Sequence, residues 1–244
     1  MGITSIVSAQ DSVETRIFFA EFAAAAAKAK AKDARGAMQS LDAIGTKVTS
    51  SPLAEVILFK KAQLAESVDA DLGRVVWRNT LDRAERLSTS GALKSALAEG
   101  AKQGLRRIAL ADVRAALEKY YLKRVEYPES LQALVDKKFI AADKIRDSSG
   151  QPLPYKAMPN PATPKIPRQK YSLDVVAEKP FAVEEIAISG TTGTGEGMSA
   201  ILRTVRESRG VKAGEAFGGF TVALVREAGV ILCDKDNVLV IKGK

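Results

Sequence analysis

From residue 12 to about 95, apolar residues fall among strong helix formers with Pro52 as the one proline, a pattern that predicts helices and not strands. Breaks fall at Gly36, at Gly45 and at Ser50-Ser51-Pro52, where the proline suits the first turn of a new helix. Three stretches follow from these breaks, and helical hairpins are expected. The segment from about Leu53 to Leu87 carries Val56, Phe59, Ala62, Leu64, Val75, Val76 and Leu81, with a turn expected near Asp69 to Gly73 and the lone Trp77 in the core. Ser88-Thr89-Ser90-Gly91 marks a stop. From Ala92 to Lys123 a long amphipathic helix is predicted: Leu105, Ile108, Val113, Leu117, Tyr120 and Tyr121 share one face, and Arg106, Arg107, Arg114 and Lys123 lie elsewhere.

Beyond Lys123 the period changes. "EYPESLQALVDKKFI" places Pro128 at the opening of a short helix whose Leu131, Leu134 and Val135 face the long one. Residues 147–170 are rich in Pro, Gly, Ser and Asn and predict a loop or hairpin excursion. Tyr171 to Val176, and then residues 183–242, predict strands. The runs "GFTVALV", "GVILCD" and "VLVIKG" are separated by Glu227-Ala228-Gly229 and Asp234-Lys235-Asp236-Asn237, which is the pattern of an antiparallel meander. The fold class expected is α+β. Its parts are a helical region over 1–91, a module with a long spine helix over 92–178, and a small antiparallel β domain over 179–244.

One stretch of that last part invites a different reading. In "IAISGTTGTGEGMSAIL", Gly195, Gly197 and Ala200 fit the G-x-G-x-x-A form of a dinucleotide-binding turn. That fold requires a helix of ten or more residues between the glycines and the next parallel strand. Only Ile201 to Ser208 is available before Arg209-Gly210, and short β-branched runs follow. A phosphate loop fails too, because Glu196 stands where a lysine must neutralise phosphate. The glycines are therefore expected to turn a β-hairpin, and no cofactor is expected.

Composition narrows the chemistry further. The 244 residues include no histidine and one cysteine, which excludes Ser-His-Asp and Cys-His systems, histidine zinc sites, internal disulfides and C-x-x-C pairs. Cys233, inside Val230-Ile231-Leu232, is expected to be a small buried hydrophobe. Acid-base chemistry would fall to carboxylates such as Glu184, Glu185 and Glu215, and no spacing singles out a pair. No catalytic residue or metal ligand is expected. No apolar run reaches the ~20 residues that span a bilayer. The net charge of +8 is local: residues 101–170 hold 15 Lys and Arg against 7 Asp and Glu, which accounts for the whole excess. All five tyrosines lie in or just beyond that segment. Basic sequence with interleaved aromatics suits a nucleic-acid surface, although no recognition helix or ribonucleoprotein motif accompanies it.

Three resemblances add to this reading. "FFAEFAAAAAKAKAKDARGAMQSLDAIG", with Asp33, Ala37 and Leu41 at four-residue spacing, resembles one tetratricopeptide hairpin, without a following 34-residue repeat. The order of Tyr120, Tyr121, Tyr127, Pro128, Leu131, Leu134, Asp147, Gly150, Pro152, Tyr155, Tyr171 and Leu173 resembles the periplasmic part of a type II secretion major pseudopilin: a long helix, a Y-P turn, a short helix, a D-P-W-G-type turn and Y-x-L strands. Ser148 and Ser149 replace the Pro-Trp of that turn. Val175, Val176, Ala177 and Lys179 follow Asp174 where the family has an Asp-rich loop, so no calcium site is expected. Finally, Ile188, Gly190, Ser199, Ile201, Val211, Gly214, Glu215, Gly219, Val222, Val230, Leu232 and Val240 follow the pattern of the small periplasmic β domain of the type II secretion inner-membrane clamp protein and of the type IV pilus assembly lipoprotein.

The resemblances imply a non-catalytic scaffold or adaptor of a type II secretion or type IV pilus-like envelope machine. Its partners would be protein components of that machine, docked by strand addition at Val222, Leu224, Val230 and Leu232. The alternative is a nucleic-acid-binding protein using residues 101–170. Location is expected to be periplasmic or at the inner membrane if a signal or anchor has been removed, and cytoplasmic otherwise.

Overall fold

Side-chain caps mark the starts of several helices. The computed structural model describes residues 3–49, 51–88, 91–162, 165, 168–183, 185–193 and 197–244, with side chains from Val13 onward, Ser51 excepted. Helix α1 runs Ile3–Lys30, α2 Ala34–Gly45, α3 Ser51–Val68, α4 Ala70–Arg86 and α5 Ala92–Arg124. Asp33 caps α2 by accepting the Gly36 amide at 2.8 Å, and Asp69 caps α4 by accepting the Leu72 amide at 2.7 Å. The turn expected near Asp69 is thus a single-residue break between α3 and α4. Gly73 lets these helices approach, since a Cβ there would lie 2.7 Å from the Glu66 Cα. The Trp77 ring, buried as expected, meets Phe59 edge-on at 5.1 Å and donates its indole N–H to Glu66 at 2.8 Å. Both oxygens of the buried Glu14 bind Thr49, one its amide at 3.0 Å and the other its hydroxyl at 2.8 Å, which fixes α1 to the segment entering α3.

The C-terminal part is all antiparallel. Strands β3 (Ala187–Thr192), β4 (Ser199–Arg203) and β5 (Ser208–Lys212) form one sheet in chain order, and β6 (Ala216–Phe217), β7 (Phe220–Arg226), β8 (Gly229–Asp234) and β9 (Leu239–Gly243) form another. Ala200, Leu202, Val211, Phe217, Val222 and Val230 belong to the core between the two sheets. The residues facing away from that core on β7 to β9, Leu224, Ile231, Cys233 and Leu239, are buried as well, and α1 packs on β9. The β6–β9 sheet is therefore covered on both faces, which explains why "VILC" is continuously apolar instead of alternating. Gly193 adopts φ +100° at the end of β3, and Ser199–Arg203 returns antiparallel to β3 as strand, not helix. The glycine motif accordingly turns a hairpin; Gly195 and Glu196 themselves lie outside the described residues.

Two compact units result, one of Met1–Ala101 with Lys179–Lys244, the other of Lys102–Glu178. The two ends of the chain, read from the sequence as separate parts, thus share a unit, because α1 lies on the sheet formed by the last thirty residues. The protein is α+β, with a helical N-terminal region and a small antiparallel C-terminal domain.

In the second unit, the later turns of α5 pack with α6 (Leu131–Asp136), a 3-10 turn at Ala142–Ile145 and the hairpin of β1 (Tyr155–Met158) and β2 (Lys170–Leu173). The excursion at 147–170 is this hairpin; residues 174–176 and 183, 185 and 186 are not strand, contrary to expectation, because no neighbouring strand pairs with them. Pro128 lies ahead of α6, not in its first turn; Ser130 is the N-cap. The Pro128 carbonyl instead accepts the Tyr155 hydroxyl at 2.7 Å. Tyr127 stacks on Tyr121 at 4.7 Å and meets Tyr171 at 4.6 Å, so the aromatics clamp helix to hairpin. Desolvation is the main cause that raises the Tyr127 and Tyr155 pKa values, which keeps both phenols protonated. Replacing Tyr155 with phenylalanine is expected to cost about 1 kcal/mol, read as a lower urea midpoint.

At Asp147 desolvation opposes ionisation, but the Ser149 hydroxyl, the Gln151 and Ser149 amides and the Arg106 charge outweigh it and hold the pKa low. The Asp147 carbonyl accepts the Gly150 amide at 3.0 Å, and Gly150, at φ +80°, completes the turn that the carboxylate holds.

Candidate partner-binding surfaces

Val222, Val230 and Leu232 lie in the core between the two sheets, at 0% exposure, and Leu224, at 6%, is buried on the opposite face of β7. None presents a side chain to solvent. Nor is β7 an open edge, since it runs between β6 and β8, and the Val222 amide and carbonyl are taken by Glu215 and Gly214 at 2.8 Å each. These four residues are corrected from a docking surface to core. Proline at Val222 would break bonds inside the domain instead of reporting on a partner.

The outer strands of the two sheets are β3, β5, β6 and β9, of which β6 has only two residues. A bulge at Ser189 interrupts β3, and β5 carries Arg209 and Lys212, with the Arg209 guanidinium bonded to the Ala216 carbonyl. Bulges and charges of this kind discourage strand addition. By contrast, β9 borders a groove of about 780 Å³ between α1 and the segment at Phe181–Val183. Phe19, Phe22, Ala26, Phe181, Val183 and Ile241 supply its apolar lining.

One wall of that groove is held by a buried cation. Lys60 is fully inaccessible, donates to the Phe181 carbonyl at 2.7 Å and lies 5.0 Å from the Phe181 ring centroid, and that ring stacks on Phe22 at 5.7 Å. Desolvation lowers its pKa from 10.5 to about 7. Sequence reading did not single out Lys60, yet the signal was present: it falls four residues after Val56 and four before Leu64, on the buried stripe of α3.

The basic segment is largely engaged within its own unit. Arg106 pairs with Asp174 at 2.5 Å, Arg114 donates to the Asp174 carbonyl at 2.8 Å, Arg168 pairs with Glu126 at 2.7 Å, and Lys144 with Asp112 at 3.2 Å. Lys123, Arg124, Lys137 and Lys138 surround Phe139 and line a hollow of about 490 Å³, with Lys137 donating to the Tyr120 hydroxyl at 3.1 Å.

Cys233 is buried, and desolvation followed by the Asp234 charge raises its thiol pKa, which makes it a poor nucleophile. Among the described residues no helix is long and apolar enough to cross a membrane. Comparison with family models, curated proteins and solved structures finds no match to this chain.

Proposed function

We propose that this chain is a non-catalytic scaffold or adaptor of a type II secretion or type IV pilus-like cell-envelope machine, acting through contacts with protein components of that machine. The observation that carries this reading is the unit at Lys102–Glu178. There the residues behind the pseudopilin resemblance, spread over some fifty positions, converge: Tyr120, Leu131 and Leu134 are core, and Tyr127, Tyr155 and Tyr171 pack against it. Six residues of that pattern thus belong to one core or pack against it. The two-sheet C-terminal part, with its glycine-turned hairpin, supports the second resemblance.

Cross-linking in the source cells, followed by purification under denaturing conditions, tests the proposal. A pilin-like or inner-membrane component of a secretion or pilus apparatus is the expected cross-linked product. The rival, nucleic-acid binding, would draw on Lys123, Arg124, Lys137 and Lys138, since the ion pairs above occupy several of the other cations. A gel shift that weakens steeply between low and high salt, with no envelope component cross-linked, would replace the proposal.

A further inference from the structure

The end of α5 carries a stretch that packing within its own unit does not explain. Leu122, Lys123, Arg124 and Val125 are consecutive and all exposed. Leu122 is 82% and Val125 61% open to solvent, and among the described residues the unit of Lys102–Glu178 has one other exposed large hydrophobic residue, Val175. Single exposed apolar residues are ordinary, but two that bracket a pair of cations make an amphipathic tip. Backbone strain marks the same place. Val125 adopts φ +60°, its amide bound to the Tyr121 carbonyl at 2.7 Å and its carbonyl to the Gln169 side chain at 2.5 Å. Glycine or asparagine ends a helix in this conformation at little cost, whereas a β-branched residue is strained there. The exposed valine side chain gains little packing within the unit to offset that strain.

Charge gathers beside it. The ionic residues that line the hollow at Phe139 are Lys123, Arg124, Lys137 and Lys138, all cationic. Lys123 lies 5.3 Å from the Phe139 ring centroid, and Lys137 lies 5.2 Å from that of Tyr120, whose hydroxyl it also binds. These partners are neutral, and among the described residues none of the four cations forms an ion pair; the acidic Glu126, Asp112 and Asp174 pair with Arg168, Lys144 and Arg106. Asp136, next to Lys137 in sequence, accepts the Gln132 side-chain amide at 3.0 Å and is not part of the lining.

We propose that this tip, residues 122–125 with Lys137 and Lys138, lies on the surface of a bilayer rich in anionic lipids, its cations on the headgroup phosphates and Leu122 and Val125 among the upper acyl segments. The proposal goes beyond the adaptor reading and does not depend on it. A bilayer surface supplies anions and an apolar phase within a few ångströms of each other, which is the pairing the tip presents. Nucleic acid would meet the cations and leave Leu122 and Val125 in water, and Phe139, packed on Tyr120 at 5.2 Å with Lys123 over its ring, is not offered to a base. A folded acidic protein needs a wider apolar contact than two residues provide. A second copy would set cations against cations.

Sedimentation of the full chain with vesicles tests this, using phosphatidylcholine alone and an equal mixture of phosphatidylcholine and phosphatidylglycerol. Binding is expected on the anionic vesicles only, falling at least tenfold when salt is raised from about 0.05 M to about 0.5 M. Each cation near an anionic surface strengthens binding about fivefold, so Arg124→Gln with Lys138→Asn weakens it at least tenfold. Leu122→Ser with Val125→Asn weakens it at least threefold, although Val125→Asn by itself leaves the urea midpoint no lower than the parent's, because asparagine suits the left-handed turn. That combination separates a membrane contact from a structural role. No sedimentation with anionic vesicles, equal sedimentation with phosphatidylcholine alone, or indifference to either pair of substitutions overturns the proposal. Duplex DNA or polyglutamate that displaces the chain from vesicles and binds the apolar pair variant as well as the parent would assign the cations to a polyanion. Inorganic phosphate that displaces it more than sodium chloride of equal ionic strength would assign them to a small anion; either result overturns the proposal. The vesicles carry no protein, so each outcome is independent of which component is cross-linked in cells.

Discussion

Gly229→Val is expected to destabilise the unit that joins the helices to the C-terminal sheets by about 3 kcal/mol or more, at the upper end of overpacking costs. The reason is space, not backbone conformation. A Cβ at Gly229 would lie 2.3 Å from the Lys242 carbonyl and 2.5 and 2.6 Å from ring atoms of Phe19. Gly243, its cross-strand partner, also lies against α1, less tightly, with the Phe19 Cβ at 3.3 Å from a Cβ placed there. The two glycines form a saddle in which Phe19 sits, and through it α1 rests on β8 and β9. Shrinking Phe19 to alanine in the same chain restores only part of the loss, because the Lys242 carbonyl belongs to the ladder and cannot rotate away. Gly190→Ala, where a Cβ meets nothing within 4 Å, serves as the control and is expected to stay within about 0.5 kcal/mol of the parent. Urea unfolding followed by the fluorescence of Trp77, which lies on α4 far along the chain from Gly229, measures both. An unchanged midpoint for Gly229→Val would show that Phe19 does not occupy this saddle.

Most of the helical elements were legible because their signals are local. The breaks at Gly45 and Ser51-Pro52 mark the end of α2 and the start of α3, and the stripe from Leu105 to Tyr120 marks α5, whereas Gly36, read as a break, lies inside α2, which starts after the Asp33 cap. The meander was equally legible from three β-branched runs and the turns between them. What the letters did not show was the third dimension of that meander. Val222, Val230 and Leu232 look like any strand's apolar residues, and only the presence of a helix on the second face of β7 to β9 decides that Leu224, Ile231 and Leu239 are buried too. The uninterrupted "VILC" was the available clue, since a strand with one wet face alternates. The candidate docking residues failed for the same reason: apolar strand positions were read as edge when long-range packing had made them core. Lys60 was hidden by a different habit of reading, in which a lysine in a helix is assigned to the solvated face.

Lys60→Met is expected to reshape the pH dependence of stability, and the sign follows from where the proton is held. In the folded chain burial lowers the pKa to about 7, against 10.5 for an exposed lysine, so between these values the unfolded chain binds the extra proton. Stability of the parent therefore rises with pH across that window, by up to about tenfold in the folding constant per pH unit, and below pH 7 the folded state bears the whole cost of a buried charge. Methionine fills similar space and carries no charge, so the variant loses this slope. It also loses the bond to the Phe181 carbonyl, a cost present at every pH. The two stability curves should cross: the variant is the more stable at pH 6, the parent at pH 10. Urea midpoints measured for both chains from pH 6 to pH 10 decide the matter, because parallel curves would mean that Lys60 keeps its proton in the folded state throughout and that the wall at Phe181 is held by an ordinary solvated cation.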